Sequence, residues 1–367
     1  MNGAVRREDM LQEKLDQYLD TLLMQGKIPG CGLIVRRNGN VIYKSCKGLR
    51  DIEANTPVEE NTVFRMASMT KLIIAVAVMK LAEEKKLSLN DNLVRFFPDY
   101  PEEKKRVRIR HLLNHSSSLG QTPKSMDYYW KVLDLKEDLK SRTDKWAWMP
   151  FDCELAETAD YSAFVNFDLL GRIIEVAGDM PLDDYLKENL LLPLKMEDTG
   201  FFLTDEQMSR LAACYNYTDG RLVRESGRTL LLDASTTEYG YCSGSAGIFS
   251  TLHDYDRFTQ MLAQGGVLEG VRILSEESLR LMRTPRQLSD VEWVAGCPWG
   301  LGFMIFEEPE RAGISVAPGT YGWSGAYGTH MFIHEPTGIC ATFVICMGDL
   351  NGADSYISRE IERIVFG

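Results

Sequence analysis

Residues 64–79 read FRMASMTKLIIAVAVM, and the placement of residue types in this stretch decides how the whole chain is read. Leu72 to Met79 is an unbroken apolar run, far below the ~20 residues that cross a bilayer, so it reads as a buried helix and no membrane span is expected. Ahead of it stands Ser68-Met69-Thr70-Lys71, the only Ser-x-x-Lys in the sequence. At the start of a helix, residues three apart share a face. The lysine nitrogen then lies beside the serine hydroxyl and can exchange a proton with it. The helix N-terminus adds a positive dipole end and a free backbone N–H for a developing oxyanion. About one such match arises by chance in a chain of this length. Context carries the reading, since a Ser/Lys pair at the mouth of a buried helix is costly unless it is used or paired.

Outward from this helix the period of the apolar pattern changes. Between Met10 and Met24, Leu11, Leu15, Tyr18, Leu19, Leu22 and Leu23 recur at helical spacing, closed by Gly26 and Pro29. Cys31 to Arg36 and Val41 to Cys46 are β-rich runs joined by Arg37-Asn38-Gly39-Asn40, where Asn-Gly supplies the positive φ angles of a tight hairpin. From about Thr62 to Leu230 the chain is helix-rich, with helices expected over 69–86, 109–114, 167–177, 182–192 and 205–213. Residues 299–306, 328–334 and 339–347 read as strands, the last two joined by Glu335-Pro336-Thr337-Gly338, and 355–365 as a closing helix.

Strands at both ends with helices between predict an α/β (α+β) chain. One antiparallel sheet, flanked by N- and C-terminal helices, takes residues 1–61 plus 231–367. An inserted all-helical lobe, residues 62–230, carries the Ser-x-x-Lys, with the site in a cleft between the two. The aromatic-rich stretch 121–157 (Tyr128, Tyr129, Trp130, Trp146, Trp148, Phe151) has two readings, a cover over that cleft or a second small core.

Composition removes several classes of function. The 367 residues hold 41 Lys plus Arg against 53 Asp plus Glu, a net charge of −12 that argues against a nucleic-acid partner. Hydrophobic residues at 44% and charged ones at 26% exclude disorder and collagen-like repeats. The eight cysteines are scattered without a Cys-x-x-Cys pair and read as reduced packing thiols. No apolar leader opens the chain, and a cytoplasmic location is expected. His330 and His334, on a presumed strand, lie ~13 Å apart at strand rise, too far to clasp one metal. His111 and His115 share a helix face without a third ligand nearby, and structural roles are expected for all five histidines, His253 included. No phosphate loop, dinucleotide fingerprint or His-Glu-x-x-His is present, so no cofactor and no metal are expected.

The blocks FRMASMTKLIIAVAVMKLAEEKKLSLNDNL, IRHLLNHSSSL, FDLLGRIIEVAG, LPLKMEDTGF, SAGIFSTLHDYDRFTQMLAQGG and YGWSGAYGTHMFIHEPTG occur in that order. With them the chain, from Leu11 to about Phe366, resembles the serine hydrolases of the β-lactamase and penicillin-binding-protein fold, especially class C β-lactamase-like esterases. The resemblance implies that Ser68 is the nucleophile and that Lys71 and Tyr161 share the proton work. The family's Tyr-x-Asn is matched by Tyr161-Ser162-Ala163, with Ala163 where Asn is usual. Its third motif, Lys-Thr-Gly or His-x-Gly on an edge strand lining the cleft, is matched by Trp323-Ser324-Gly325, which the resemblance makes substrate-binding. The glycine lets substrate approach the strand backbone, and the N–H groups of Ser68 and Ala326 become the two oxyanion donors. Missing is the cation that binds a β-lactam or peptide carboxylate. Trp-x-Gly and the lost Asn resemble the carboxylesterase branch, family VIII. Ser118, Lys195 and the absence of Pro-Gly before Tyr161 are further departures from the family pattern.

Two serines compete with Ser68. Gly322-Trp323-Ser324-Gly325-Ala326 approximates a nucleophile elbow, but an elbow sits between strand and helix and a strand follows here. Ser88-Leu89-Asn90 has a Ser-x-Asn pattern but reads as a turn after the helix. The expected function is a serine hydrolase with a Ser68 acyl-enzyme, a carboxylesterase on short-chain or small neutral esters. Alternatives with the same acyl-enzyme are a β-lactamase, a D-amino-acid peptidase or amidase, or an acyltransferase; a non-catalytic sensor is a different class. The partner is a small ester or amide substrate, and the oligomeric state stays open.

Overall fold

At residues 38–39 the chain turns as Asn-Gly requires. Asn38 (φ +51°) and Gly39 (φ +79°) both take the left-handed conformation, and Arg37 pairs with Asn40, closing strand β1 (Gly30–Arg37) onto β2 (Asn40–Asp51). This is a computed structural model, and it describes residues 2–134, 136–155, 160–225, 241–285, 293–350, 352 and 355–367. A short β3 (Thr56–Pro57) extends the hairpin. The following strands are β4 (Val63–Arg65), the hairpin β5 (Tyr215–Thr218) and β6 (Arg221–Arg224), β7 (Phe249–Thr251), which pairs with β4, and the hairpin β8 (Val267–Leu268) and β9 (Val271–Arg272). Then come β10 (Met304–Phe306), β11 (Thr320–Ser324), β12 (His330–His334) and β13 (Ile339–Ile345).

The two ends of the chain meet in one seven-stranded sheet, ordered β10-β11-β12-β13-β1-β2-β3 and antiparallel throughout. The N-terminal hairpin joins the last strand through pairs such as Leu33 with Phe343. Because side chains alternate across a strand, the sheet has two apolar faces. Leu33, Val35, Phe332, Phe343 and Ile345 face the terminal helices α1 (Asn2–Met24) and α11 (Tyr356–Phe366), burying Leu15, Leu19, Ile357 and Ile361. Ile34, Trp323, Met331, Ile333 and Val344 belong to the opposite core.

That second core is built around α2 (Thr70–Glu83), whose residues from Thr70 to Met79 are all buried. A helix apolar all round has no solvent face, so the polar groups at its N-terminus open into the molecule rather than onto its surface. Around it lie α3 (Ile109–Leu113), α4 (Pro123–Val132), α5 (Leu139–Lys145), α6 (Val165–Gly178), α7 (Leu182–Leu186) and α8 (Asp205–Ser209), with α9 (Leu252–Ala263) and α10 (Glu276–Met282) following β7 and β9. None of the described helices is long and apolar enough to cross a membrane.

The observed chain departs from the sequence expectations at several points. The middle also carries short strands: Asp219-Gly220 (φ +51° and +79°) closes β5 on β6, an Asp-Gly hairpin signal of the same kind as Asn38-Gly39. Helix α8 stops at Ser209, where Arg210 turns to Asp198 and the Asn61 carbonyl and Ala212 N–H bonds to the Val63 carbonyl. Residues 299–306 are not one strand. Gly302, at φ +93°, reverses the chain against Ala75 of α2, where a Cβ would lie 2.4 Å from the alanine methyl, and only Met304–Phe306 join the sheet. β11 is second from the edge, but β10 pairs with Thr320 to Gly322 alone, so the outer edge of Trp323 and Ser324 is left uncovered by it. In the 121–155 stretch Tyr129 and Trp146 are buried, 5.7 Å apart, within the same core as α2 rather than in a second small one, while Trp130 and Trp148 are exposed. Residues 156–157 of that stretch and the 230/231 boundary lie outside the described residues.

Candidate active site

Ser68 sits in a 3-10 turn, Ala67–Met69, that leads from β4 into α2. The turn is entered through Ala67 at φ +45°, a left-handed conformation that costs an alanine energy and is held by Met66, whose N–H bonds to Ile248 O and whose carbonyl accepts from Thr329 Oγ1. One turn beyond Ser68, at the start of α2, Lys71, 1% exposed, brings its Nζ 3.1 Å from Ser68 Oγ, 2.9 Å from Ala163 O and 2.7 Å from Ser245 O. Nζ therefore meets three acceptors, and among the described residues no carboxylate pairs with it. Tyr161 Oη lies 2.8 Å from Ser68 Oγ, and the Lys71 Nζ is 5.1 Å from the Tyr161 ring centre. Tyr161, distant in sequence from Ser68 and Lys71, thus joins them in one cluster. Ala163 has lost the amide side chain usual at its position, yet its backbone carbonyl still holds the lysine.

The other lysine anchor depends on a residue that the motif search passes over. Asp168, fully buried on α6, accepts from Ser245 N (2.8 Å), Ser243 Oγ (2.9 Å) and the Tyr241 hydroxyl, which fixes the loop whose Ser245 carbonyl receives Lys71. Burial pushes the Asp168 carboxyl up, against the pull of the Tyr241 hydroxyl, of Arg142 and of its other donors. Its only sequence signal is an acid on the apolar face of a helix.

Trp323 is buried beside Tyr161, with ring centres 5.1 Å apart, and its indole Nε1 points to Tyr161 Oη at a long 3.4 Å. Trp299 packs edge-on against Trp323 at 4.6 Å, and Trp293 stacks on Tyr161 at 5.3 Å with a 25° tilt. Trp293 and Trp299 carry no local sequence signal for this placement, because tertiary folding alone brings them to the tyrosine. Gly325 is sterically required: a Cβ there would lie 2.2 Å from Thr329 Oγ1 and 2.3 Å from Met66 O. This close approach ties the end of β11 to the residue two before Ser68. Ala326 is exposed just beyond, and its N–H donates to no group among the described residues.

Ser324 is placed differently from its neighbours. Its Oγ lies 2.8 Å from His330 Nδ1, directly across the β11–β12 pair, and His330 Nε2 lies 2.9 Å from Glu362 of α11. Burial alone would raise the Glu362 carboxyl, but His330 and Arg359 hold it below the usual carboxylate range. This Ser-His-Glu line is buried on the terminal-helix face, away from Tyr161, and a turn rather than a helix follows Ser324. It welds α11 to the sheet and presents no nucleophile to a substrate. His334 bonds Thr337, and His111, whose Nδ1 accepts from Arg108 N, is pushed down to about 4 by burial and the nearby arginines. No group of His, Cys, Asp and Glu able to hold a metal occurs among the described residues.

Similarity to known proteins agrees with this architecture. The chain is 30% identical over 341 residues to Protein Rv1367c of Mycobacterium tuberculosis, 83% of this chain and 82% of that one. It is 28% identical over 366 residues to Esterase EstB of Burkholderia gladioli, 90% of this chain and 88% of that one. Among solved structures, EstCE1, a hydrolase with promiscuous acyltransferase activity, superposes with a TM-score of 0.85 at 24% identity, covering 98% of this chain and 99% of that one. The family model described as Beta-lactamase matches residues 12–352, and the chain belongs to the β-lactamase family as a hydrolase built on that fold.

Proposed function

We propose that the protein is a carboxylesterase acting on small neutral esters through an acyl-enzyme on Ser68. The observation that carries the reading is the seat of Ser68 Oγ between Tyr161 Oη at 2.8 Å and Lys71 Nζ at 3.1 Å. With its three protons engaged, Lys71 serves as a fixed cation, and Tyr161 in its phenolate form serves as the base. The Ser68 proton passes to Tyr161 Oη as Oγ attacks the ester carbonyl carbon. The N–H groups of Ser68 and Ala326 receive the oxyanion, each such donor worth about 100- to 1,000-fold in rate. When the bond to the alcohol oxygen breaks, Tyr161 returns its proton to that oxygen and the alcohol leaves. Water repeats the sequence: it gives a proton to Tyr161 and attacks the acyl carbon, and Ser68 Oγ recovers its proton as the acid departs.

Neutral substrates follow from the third motif, where Trp323 stands in place of a cation. A substrate carboxylate loses a charge-assisted hydrogen bond worth ~1.5–3 kcal/mol, about 10- to 100-fold in binding. The name of Esterase EstB supports the same choice. Transfer of the acyl group to an alcohol instead of water is the second reading, favoured by the apolar wall of Trp293, Trp299 and Trp323 and by the acyltransferase activity of EstCE1. Within this proposal the lobes divide at 1–61 plus 231–367 and 62–230, and the free thiols suit a cytoplasmic setting. Steady-state rates on p-nitrophenyl butyrate and nitrocefin test the substrate class. The ester is expected to lead in kcat/KM by about 10- to 100-fold, and equal values on the β-lactam would overturn the preference.

A further inference from the structure

We infer that His115 is the positioning residue that holds Tyr161 over Ser68, an inference that rests on the proton role given to Tyr161 above. Tyr161 needs such a hold, because residues 160–164 lie in irregular structure ahead of α6, where no backbone ladder fixes the chain. A tyrosine whose Oη must stay 2.8 Å from Ser68 Oγ depends on anchors outside its own segment.

His115 reaches three consecutive residues of that segment by three separate routes. Its Nδ1 accepts the Ser162 N–H at 3.1 Å. Its ring packs against the Tyr161 ring with centres 4.8 Å apart, and is itself backed by Trp299 at 4.5 Å and Phe167 at 5.4 Å. Its carbonyl accepts from Gln121 Nε2, and the same amide nitrogen donates to Asp160 O. His115 itself is wound into the left-handed region at φ +58° and is fully buried.

The ring also has a defined protonation state. Accepting at Nδ1 assigns the hydrogen to Nε2. Burial and the Lys71 charge press its pKa well below the ordinary histidine value, so Nδ1 remains an acceptor for Ser162 through the neutral range. Nε2 finds no hydrogen-bond partner among the described residues. A site serving packing alone would be filled better by phenylalanine, which leaves no buried donor unpaired. The polar edge that is used is the one facing Ser162.

The test is a double-mutant cycle on full-length enzyme with p-nitrophenyl butyrate, using His115→Phe, Tyr161→Phe and the pair. His115→Phe keeps the ring and removes the acceptor. It is expected to lower kcat about 100-fold, the effect of a misplacement near 1 Å, with KM within about threefold of the parent. In the Tyr161→Phe background the same change is expected to alter kcat by less than about threefold, because there is no longer a hydroxyl to place. His115→Asn offers an acceptor at the δ position, tolerates the left-handed backbone and is expected to recover at least about a tenth of the parent kcat. Equal losses from His115→Phe in both backgrounds, or no loss in either, overturn the inference while leaving the acyl-enzyme reading intact. Full activity in Tyr161→Phe alone overturns the tyrosine's proton role and this inference with it. If His115→Phe does not fold, His115→Gln, which also lacks the δ acceptor, takes its place in the cycle with the same expectations.

Discussion

Replacing Ser68 with alanine is expected to abolish ester hydrolysis, lowering kcat on p-nitrophenyl butyrate by about 10⁴-fold or more, while Ser324→Ala keeps activity within about tenfold of the parent. The two serines are the useful contrast because each is hydrogen-bonded to groups that in other settings activate a nucleophile. Ser68 Oγ meets Tyr161 Oη and Lys71 Nζ, at the mouth of a buried helix. Ser324 Oγ meets His330, which meets Glu362, but all three are buried against α11 and the serine has no open side toward Tyr161. Steady-state kinetics decide between them, and loss of activity in Ser324→Ala with retention in Ser68→Ala would reverse the assignment. Either change removes only the hydroxyl, the alanine methyl standing where the serine methylene stood.

The second large effect is expected from Tyr161→Phe, a loss of about 10²- to 10⁴-fold in kcat, the range of a lost general acid–base group. The substitution removes only the hydroxyl. The ring keeps its packing on Trp293, Trp299, Trp323 and His115, so the melting temperature is expected to stay within a few degrees. In the proposed mechanism Lys71 does not take over as the base, because its Nζ is held by Ser68 Oγ, Ala163 O and Ser245 O. A Tyr161→Phe enzyme with nearly parental kcat would place the proton transfer on Lys71 and require one of those two carbonyl bonds to be released. Measured kcat together with a thermal melt separates lost chemistry from lost fold.

How far the chain can be read without its fold depends on whether a feature is local. Ser68 and Lys71 lie one helical turn apart, and the apolar run after them announces a buried helix, so their pairing follows from spacing. Asn38-Gly39 likewise announces its hairpin, and Asp219-Gly220 carried the same signal within a stretch expected to be helical. Tyr161 is different: nothing in its neighbourhood marks it, and only the resemblance of the surrounding blocks to a family singles it out. His115, Asp168, Trp293 and Trp299 come to the site from separate segments, so no spacing rule could assemble them. Ala163 shows a further limit, since the group that works there is a backbone carbonyl, which every residue type supplies. Residues 299–306 read as one strand in the sequence, but the left-handed Gly302 packed on Ala75 breaks it and turns Trp299 toward Tyr161. Ser324 illustrates register: one residue along β11 from Trp323, it faces the opposite side of the sheet.

Whether catalysis passes through an ester of Ser68 is decided by acid-quenching the enzyme during turnover of p-nitrophenyl butyrate and measuring its intact mass, with peptide mapping of any adduct. One butyryl group per chain is expected during turnover, located on Ser68, disappearing when substrate is exhausted and absent in Ser68→Ala. A butyryl group mapped to Ser324 or Lys71, or rapid turnover by the Ser68→Ala protein, would contradict a Ser68 ester.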